Sequence, residues 1–301
     1  MIIEKELLQQ IINIIFVNLQ REKKTGLLKG KMGIIILLYH YARYSENNQY
    51  KYFPEEYMCI VEKFFSIRNS KNMVEEIAEN GWGIDYLIKN GFIEADEDVL
   101  EEVDLKVDSE VTKGKFLREL EAKLPLFSKG LYFLQRGKFD VVKESLLEVI
   151  NLIKANPRLK LPLLYINSII YTALVSSKLD SELDSGCYDE LLNLLYESVI
   201  RDKCIKIEDQ DYFLIKKNIS LMPEYQISKW NNLIPEQYKL NDIHDCYWID
   251  FLFPEGERIP VDTEKINIWL KAFLQNFDCE RLSIYKGLSG VGLALMNKLA
   301  N

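Results

Sequence analysis

The sequence predicts an all-α chain folded as one (α/α)6 toroid domain over residues 1–301, a double ring of helical hairpins. Three observations predict it. Glycines recur directly before apolar helical runs: Gly26, Gly30 and Gly33 before Ile34–Tyr39, Gly81 and Gly83 before Ile84–Leu87, Gly130 before Leu131–Leu134, and Gly287, Gly290 and Gly292 before Leu293–Leu299. The anchor glycines 33, 83 and 130 stand about 50 residues apart, and the gap to 292 holds about three more such steps, a spacing that suits one helical hairpin per repeat. In each repeat a more amphipathic helix precedes a more apolar one, while the apolar–polar alternation of a strand is nearly absent.

The elements follow in order. Residues 2–20 place Ile3, Leu7, Leu8, Ile11, Ile12, Ile15, Phe16 and Leu19 at helical spacing, so one broad face is predicted to be buried. Thr25–Gly33 interrupts that pattern, since glycine permits turns and close backbone approach. Ile34–Tyr44 is apolar nearly all round and is expected to be a helix covered on most sides. Asn47, Asn48 and Pro54 mark the next loop. An amphipathic helix is expected over Glu55–Arg68, then a loop through Asn80–Gly83, then a helix over Ile84–Lys89 stopped by Asn90-Gly91.

Seven acids crowd into residues 94–104 (Glu94, Asp96, Glu97, Asp98, Glu101, Glu102 and Asp104). They read as a solvated loop and helix start, with a patch for a metal or a basic partner as the alternative. The third repeat pairs a helix at 109–123 with Gly130–Arg136. The fourth pairs 139–154 with Leu161–Val175. The fifth pairs 187–202 with a degenerate half near Asp211–Met222. Residues 223–261, rich in Pro, Asp and aromatics, read as irregular. A helix at 262–277 and the last glycine motif close the chain.

Composition narrows the function classes. Of 301 residues, 48% are hydrophobic, enough for a large core. A net charge of −8 and a pI near 5.1 argue against a nucleic-acid binder, which needs a basic footprint, and against a polybasic membrane anchor. No apolar run approaches the roughly 20 residues that span a bilayer. Ile11–Val17 is apolar but follows Glu4, Lys5 and Glu6 and leads into no small-residue cleavage site, so it is not read as a signal peptide. Five scattered cysteines (59, 187, 204, 246, 279) suit reduced thiols and a cytoplasmic location.

The motifs themselves resemble a known family. Gly26-Leu-Leu-Lys-Gly-Lys-Met-Gly33, Glu79-Asn-Gly-Trp-Gly-Ile-Asp-Tyr-Leu87, Gly130-Leu-Tyr-Phe-Leu134 and Gly287-Leu-Ser-Gly-Val-Gly-Leu293 resemble the lanthionine synthetase C-like proteins, and the first third resembles truncated members common in Bacteroidetes. The resemblance spans residues 26–136 and 284–299. It implies an α/α toroid with glycine-rich inner loops, and an activity in ribosomal peptide maturation. There a zinc-bound peptide thiol adds to a dehydrated residue and closes a thioether ring.

The sequence departs from that family at its chemistry. The family's cysteine and adjacent Cys-His ligands are missing, which argues against catalysis and for a degenerate, pseudoenzyme-like role with no cofactor. The alternative is a zinc-dependent cyclase with rearranged ligands, His244 and Cys246, with Cys187 or Cys204 as a third. Of the two histidines, His40 lies in the first apolar helix and reads as a core or lumen residue. A further alternative is a scaffold or an (α/α)6 glycosidase using two of Glu79, Asp85 and Asp250. The expected partner is a substrate peptide or a maturation enzyme, with neither nucleic acid nor membrane. The expected binding face is the ring mouth, built from Glu79, Trp82, Asp85, Tyr86, Tyr285 and Lys286. Asp85 is expected to bond nearby loop amides, and Trp82 to line or plug the mouth.

Overall fold

The helical periodicity of the sequence becomes helix throughout. The computed structural model describes residues 2–47, 49–52, 54–56, 58, 73–95, 97–108, 119–120, 124–179, 185–201, 207–235 and 242–300, and among these residues there is no strand. Those residues divide into two compact units. One joins the two ends of the chain (Met1–Glu97, Asp242–Pro254 and Ile259–Asn301); the other holds the middle (Asp98–Asn241 and Glu255–Arg258). All-α is therefore the fold class, and the closed ring stays a proposal. No described helix is long and apolar enough to cross a membrane.

The terminal unit is built on α1 (Ile2–Asn18), α2 (Lys31–Ser45), α3 (Met73–Lys89), α11 (Trp248–Leu252), α12 (Thr263–Gln275) and α13 (Leu288–Ala300). Leu7, Leu8, Ile11, Ile12 and Ile15 form the buried stripe of α1, as their spacing predicts. In α2 everything from Met32 to Tyr39 is buried, and α13 is buried from Leu288 to Met296. These three helices meet at Gly292. A Cβ built there would stand 3.0 Å from a Leu37 methyl and 3.5 Å from an Ile11 methyl. Glycine at that point lets α13 approach the other two, and the extra apolar contact outweighs the roughly 1 kcal/mol that a glycine costs a helix.

The glycine motifs were expected to be loops, and most are not. Gly33, Gly81, Gly83, Gly130, Gly290 and Gly292 lie inside helices, while Gly26, Gly30 and Gly287 lie outside them. Asn80–Gly83, expected as a loop, is the middle of the uninterrupted helix α3. The cause is packing: at Gly83 a Cβ would run into the Met32 side chain, and at Gly33 into the Leu27 carbonyl and Ile284. The expected stop at Asn90-Gly91 is real, with Gly91 in the left-handed region at φ 62°. The helix expected at Glu55–Arg68 lies mostly outside the described residues.

The central unit holds α4 (Glu101–Asp108), α5 (Ser128–Arg136), α6 (Phe139–Ala155), α7 (Leu163–Leu179), α8 (Ser185–Arg201), α9 (Asp209–Leu221) and α10 (Glu224–Asn231). Here α7 is the buried axis. Along it Asn167, Ser168, Thr172 and Ser176 are fully buried polar residues among apolar ones. Ser168 accepts from the Phe127 amide at 2.9 Å, and the Asn218 amide of α9 donates to the Asn167 backbone and side-chain oxygens at 3.0 and 3.1 Å. In the acidic run Glu94, Glu101 and Glu102 are exposed, Asp96 lies outside the described residues, and Asp104 is buried. Tyr132, Arg136 and Lys138 converge on that carboxylate at 2.6, 3.0 and 2.7 Å. Burial pushes Asp104 up, and the three donors outweigh burial and hold it below the ordinary carboxylate range. The helix expected at 109–123 falls mostly outside the described residues. The stretch expected to be irregular, 223–261, contains α10, α11 and a 3-10 turn at Ile243–Cys246.

Candidate functional site

In the terminal unit the first and last glycine motifs build one structure. Residues 24–32 turn back on themselves through Lys31 N to Lys24 O and Met32 N to Thr25 O, both 3.0 Å. The C-terminal segment clamps this turn. The Gly30 amide donates to the Ser283 hydroxyl at 2.9 Å, that hydroxyl faces the Leu27 and Gly30 carbonyls, and the Tyr285 amide donates to Leu28 O at 2.7 Å.

Helix α3 holds the other side of the turn. Glu79 reaches under it and accepts from the Leu28 amide at 3.2 Å, and Asn80 donates to the Thr25 hydroxyl at 3.3 Å. Gly26 is needed because a Cβ there would stand 2.7 Å from a Glu79 carboxylate oxygen. Burial, reinforced by Glu76 and Glu75, pushes Glu79 up to about 7 against the pull of the Leu28 and Leu27 amides. Glu79 therefore braces the loop and is half-buried, with its pKa near neutrality.

Of the aromatic members, Trp82 and Tyr86 meet each other, while Tyr285 meets Trp248. Trp82 and Tyr86, one helical turn apart on α3, stack with ring centres 5.4 Å apart and planes 9° from parallel. Phe251 of α11 meets both edge-on, at 5.3 and 5.1 Å. Trp82 is buried, whereas Tyr86 and Phe251 are half-buried. One turn back along α11, Trp248 packs on Tyr285 at 5.2 Å. Lys29 and Lys286 each place their ammonium over the Tyr285 ring, 4.7 and 5.5 Å from its centre. Helix α11 thus carries two ring contacts, one to α3 through Phe251 and one to the C-terminal motif through Trp248.

No protein-family model, no curated protein and no solved structure matches this chain. The lanthionine synthetase C-like reading rests on its motifs and stands as a proposal.

Behind Tyr86 lies His40, with Nε2 2.8 Å from the phenol oxygen. Burial, helped by Arg43, brings His40 down to about 4, and burial takes Tyr86 up to about 12. Both are neutral at physiological pH, so the pair is a hydrogen bond and not an ion pair. Arg43 lies 3.7 Å above Phe92 and donates to Asn90 O and Gly91 O, closing the end of α3. Asp85 is buried and pairs with Lys89 at 2.8 Å, four residues along the same helix.

His244 and Cys246 occupy the 3-10 turn and do not converge. Three residues make one 3-10 turn, so side chains two apart leave on different sides. The Cys246 thiol is buried and faces Asp242 O at 3.9 Å. The His244 ring packs 5.0 Å from Trp269, with Nε2 3.5 Å from Asp245. Burial lowers the His244 pKa against the opposing pull of Asp245 and Asp242. Among the described residues no group of three or more His, Cys, Asp and Glu is placed to hold a metal ion. Cys187 lies on α8 of the central unit, and Cys204 is outside the described residues. The third glycosidase candidate, Asp250, accepts from the Ile259 amide at 2.7 Å.

The sequence reading missed Trp248, Phe251 and Lys29. A signal for the first two was available: Trp248 and Phe251 are three apart in Tyr247–Phe253, the spacing of one helix face.

Proposed function

We propose that this chain is a lanthionine synthetase C-like binding protein that holds a peptide of a ribosomal maturation pathway and does not itself close thioether rings. The peptide lies on the face formed by Trp82, Tyr86, Phe251 and Tyr285. A single observation carries this reading: α11 bears two ring contacts three residues apart, Phe251 against the stacked Trp82 and Tyr86 and Trp248 against Tyr285, and Tyr86, Phe251 and Tyr285 are half-buried. Aromatic side chains offer large contact area with few rotamers to freeze, and tyrosine adds a polar tip, so such arrays suit peptide backbones and side chains. The clamped turn beneath supports the face by fixing Tyr285 in place before any ligand arrives.

The test is selection of a random-peptide display library on the purified chain. Enriched peptides are expected, with binding weakened about tenfold or more in Tyr285→Ala and in Phe251→Ala at unchanged helical content. Failure to enrich any peptide, or equal binding by both variants, contradicts the reading.

A further inference from the structure

In the central unit the short stretch Glu255–Arg258 lies with α7 and α9. Among the described residues these four make no backbone–backbone hydrogen bond. None of them is buried, so hydrophobic burial adds little to hold them down. Phe253 and Ile259, just outside the stretch in sequence, are buried.

Side chains of α7 and α9 hold the stretch instead. The Glu255 amide donates to the Tyr171 hydroxyl at 3.0 Å, and the Lys217 ammonium donates to the Glu255 carbonyl at 3.4 Å. The Glu257 amide donates to the Ser220 hydroxyl at 3.2 Å, and that hydroxyl donates to the Lys217 carbonyl at 2.7 Å. Lys216 pairs with the Glu257 carboxylate at 2.9 Å, in an exposed contact. Gly256 lets the stretch lie this close. It stands at φ 87°, and a Cβ there would be 2.8 Å from the Ser220 oxygen and 3.0 Å from the Lys217 carbonyl oxygen. The two side chains that grip Glu255, Tyr171 and Lys217, are themselves buried.

A segment held by a few polar contacts near the surface, with little apolar burial, opens far more readily than the core it lies on. Each of its bonds is exchanged for one to water, and the exposed ion pair adds little. The helices below are held by their own buried faces and do not need the segment to stay folded. We propose that Glu255–Arg258 is a strap that opens as one unit over α7 and α9, and that opening uncovers the Tyr171 hydroxyl and the Lys217 amine. In the closed form the backbone of Glu255 caps both groups.

Native-state hydrogen exchange by NMR on the whole chain tests it. The Glu255 and Glu257 amides are expected to share one protection factor and to depend less on added denaturant than the amides of α7. Ser220→Ala removes the acceptor of the Glu257 amide and leaves that of the Glu255 amide in place. Exchange should nevertheless rise about fivefold at both. Tyr171→Phe, which removes the acceptor of the Glu255 amide, should raise exchange at Glu257 in the same way. Acetic anhydride, with modified sites read by mass spectrometry, should label Lys217 about fivefold faster in Ser220→Ala than in wild type, with exchange along α7 unchanged. A rise confined to the amide whose acceptor was removed overturns the single-unit strap. Strap amides that exchange with the same denaturant dependence as α7 overturn it too, and so does labelling of Lys217 that Ser220→Ala leaves unchanged.

Discussion

The two units solve one problem in different ways. Each buries a helix on nearly every side, α2 in the terminal unit and α7 in the central one. Around α2 the contacts are apolar and close, and glycines at 33, 83 and 292 let neighbouring helices and side chains approach. Around α7 the axis is itself partly polar, and neighbours are held by hydrogen bonds from Ser168 and Asn167. A satellite cluster on Asp104 joins α4 to α5 by charge. Glycine packing is unforgiving of added atoms, and polar packing is unforgiving of removed partners.

The largest effect is expected where a methyl is added to the glycine contacts. Gly33→Ala forces a Cβ against the Leu27 carbonyl and Ile284, and should destabilise the chain by about 3 kcal/mol, measured by denaturant unfolding. Gly91→Ala is the control. Its Cβ would meet nothing within 4 Å, so only the left-handed backbone opposes it, at about 1 kcal/mol. Equal losses at the two positions would break the contrast.

In the central unit the matching test removes a partner. Asp104→Ala leaves Arg136 and Lys138 facing each other without their carboxylate and should lose about 2 kcal/mol, somewhat under the range for a fully buried pair because Lys138 is partly exposed. Its loss should also appear as pH falls. The native carboxylate titrates below its unfolded value, so its contribution is full above the unfolded pKa and disappears as pH drops through the folded one.

The smallest effect sharpens the comparison at its exception. Glu79 is a half-buried acid of the terminal unit, where Glu22 and Asp85 are buried as well. Its folded pKa of about 7 lies above its ordinary 4.5, so its sign is opposite to that of Asp104. Between those values the unfolded chain is ionised there while the folded one is not. Stability therefore falls as pH rises from about 4.5 to 7 and levels off above. Glu79→Gln keeps an oxygen for the Leu28 amide and removes the charge. It should be more stable than wild type by about 1 kcal/mol at pH 8 and indistinguishable near pH 5, read from unfolding midpoints at the two pH values.

The contrast also explains what the sequence could disclose. Apolar periodicity disclosed α1, α2, α6 and α12, because a helix buried on one side must repeat its apolar residues every three to four positions. The glycines were visible, but their role was not. A glycine in a loop and a glycine under a Met32 side chain look alike until the neighbour is known. For the same reason α3 read as a loop followed by a short helix. The short helices α10 and α11, of 8 and 5 residues, lie in a stretch punctuated by proline and aspartate. Missing α11 hid Phe251, which meets Trp82 and Tyr86, and Trp248, which meets Tyr285. Trp82, Tyr86, Tyr285 and Lys286 stood out because each lies in or beside a glycine motif, that of Gly81 and Gly83 for the first two and that of Gly287 for the others, whereas the bonds of Asp85 to Lys89 and of Glu79 to the Leu28 amide show only in the fold. Asp104 looked like one more solvated acid, since nothing in its spacing announces Arg136 or Lys138.

The central claim is that the aromatic face of the terminal unit is where peptide binds. Photocrosslinking a display-enriched peptide that carries a photoreactive residue, followed by mass spectrometric mapping, tests it most directly. Crosslinks concentrated on residues 82–86, 248–251 and 285–286 are the predicted result. Crosslinks confined to the central unit, residues 124–235, would contradict it.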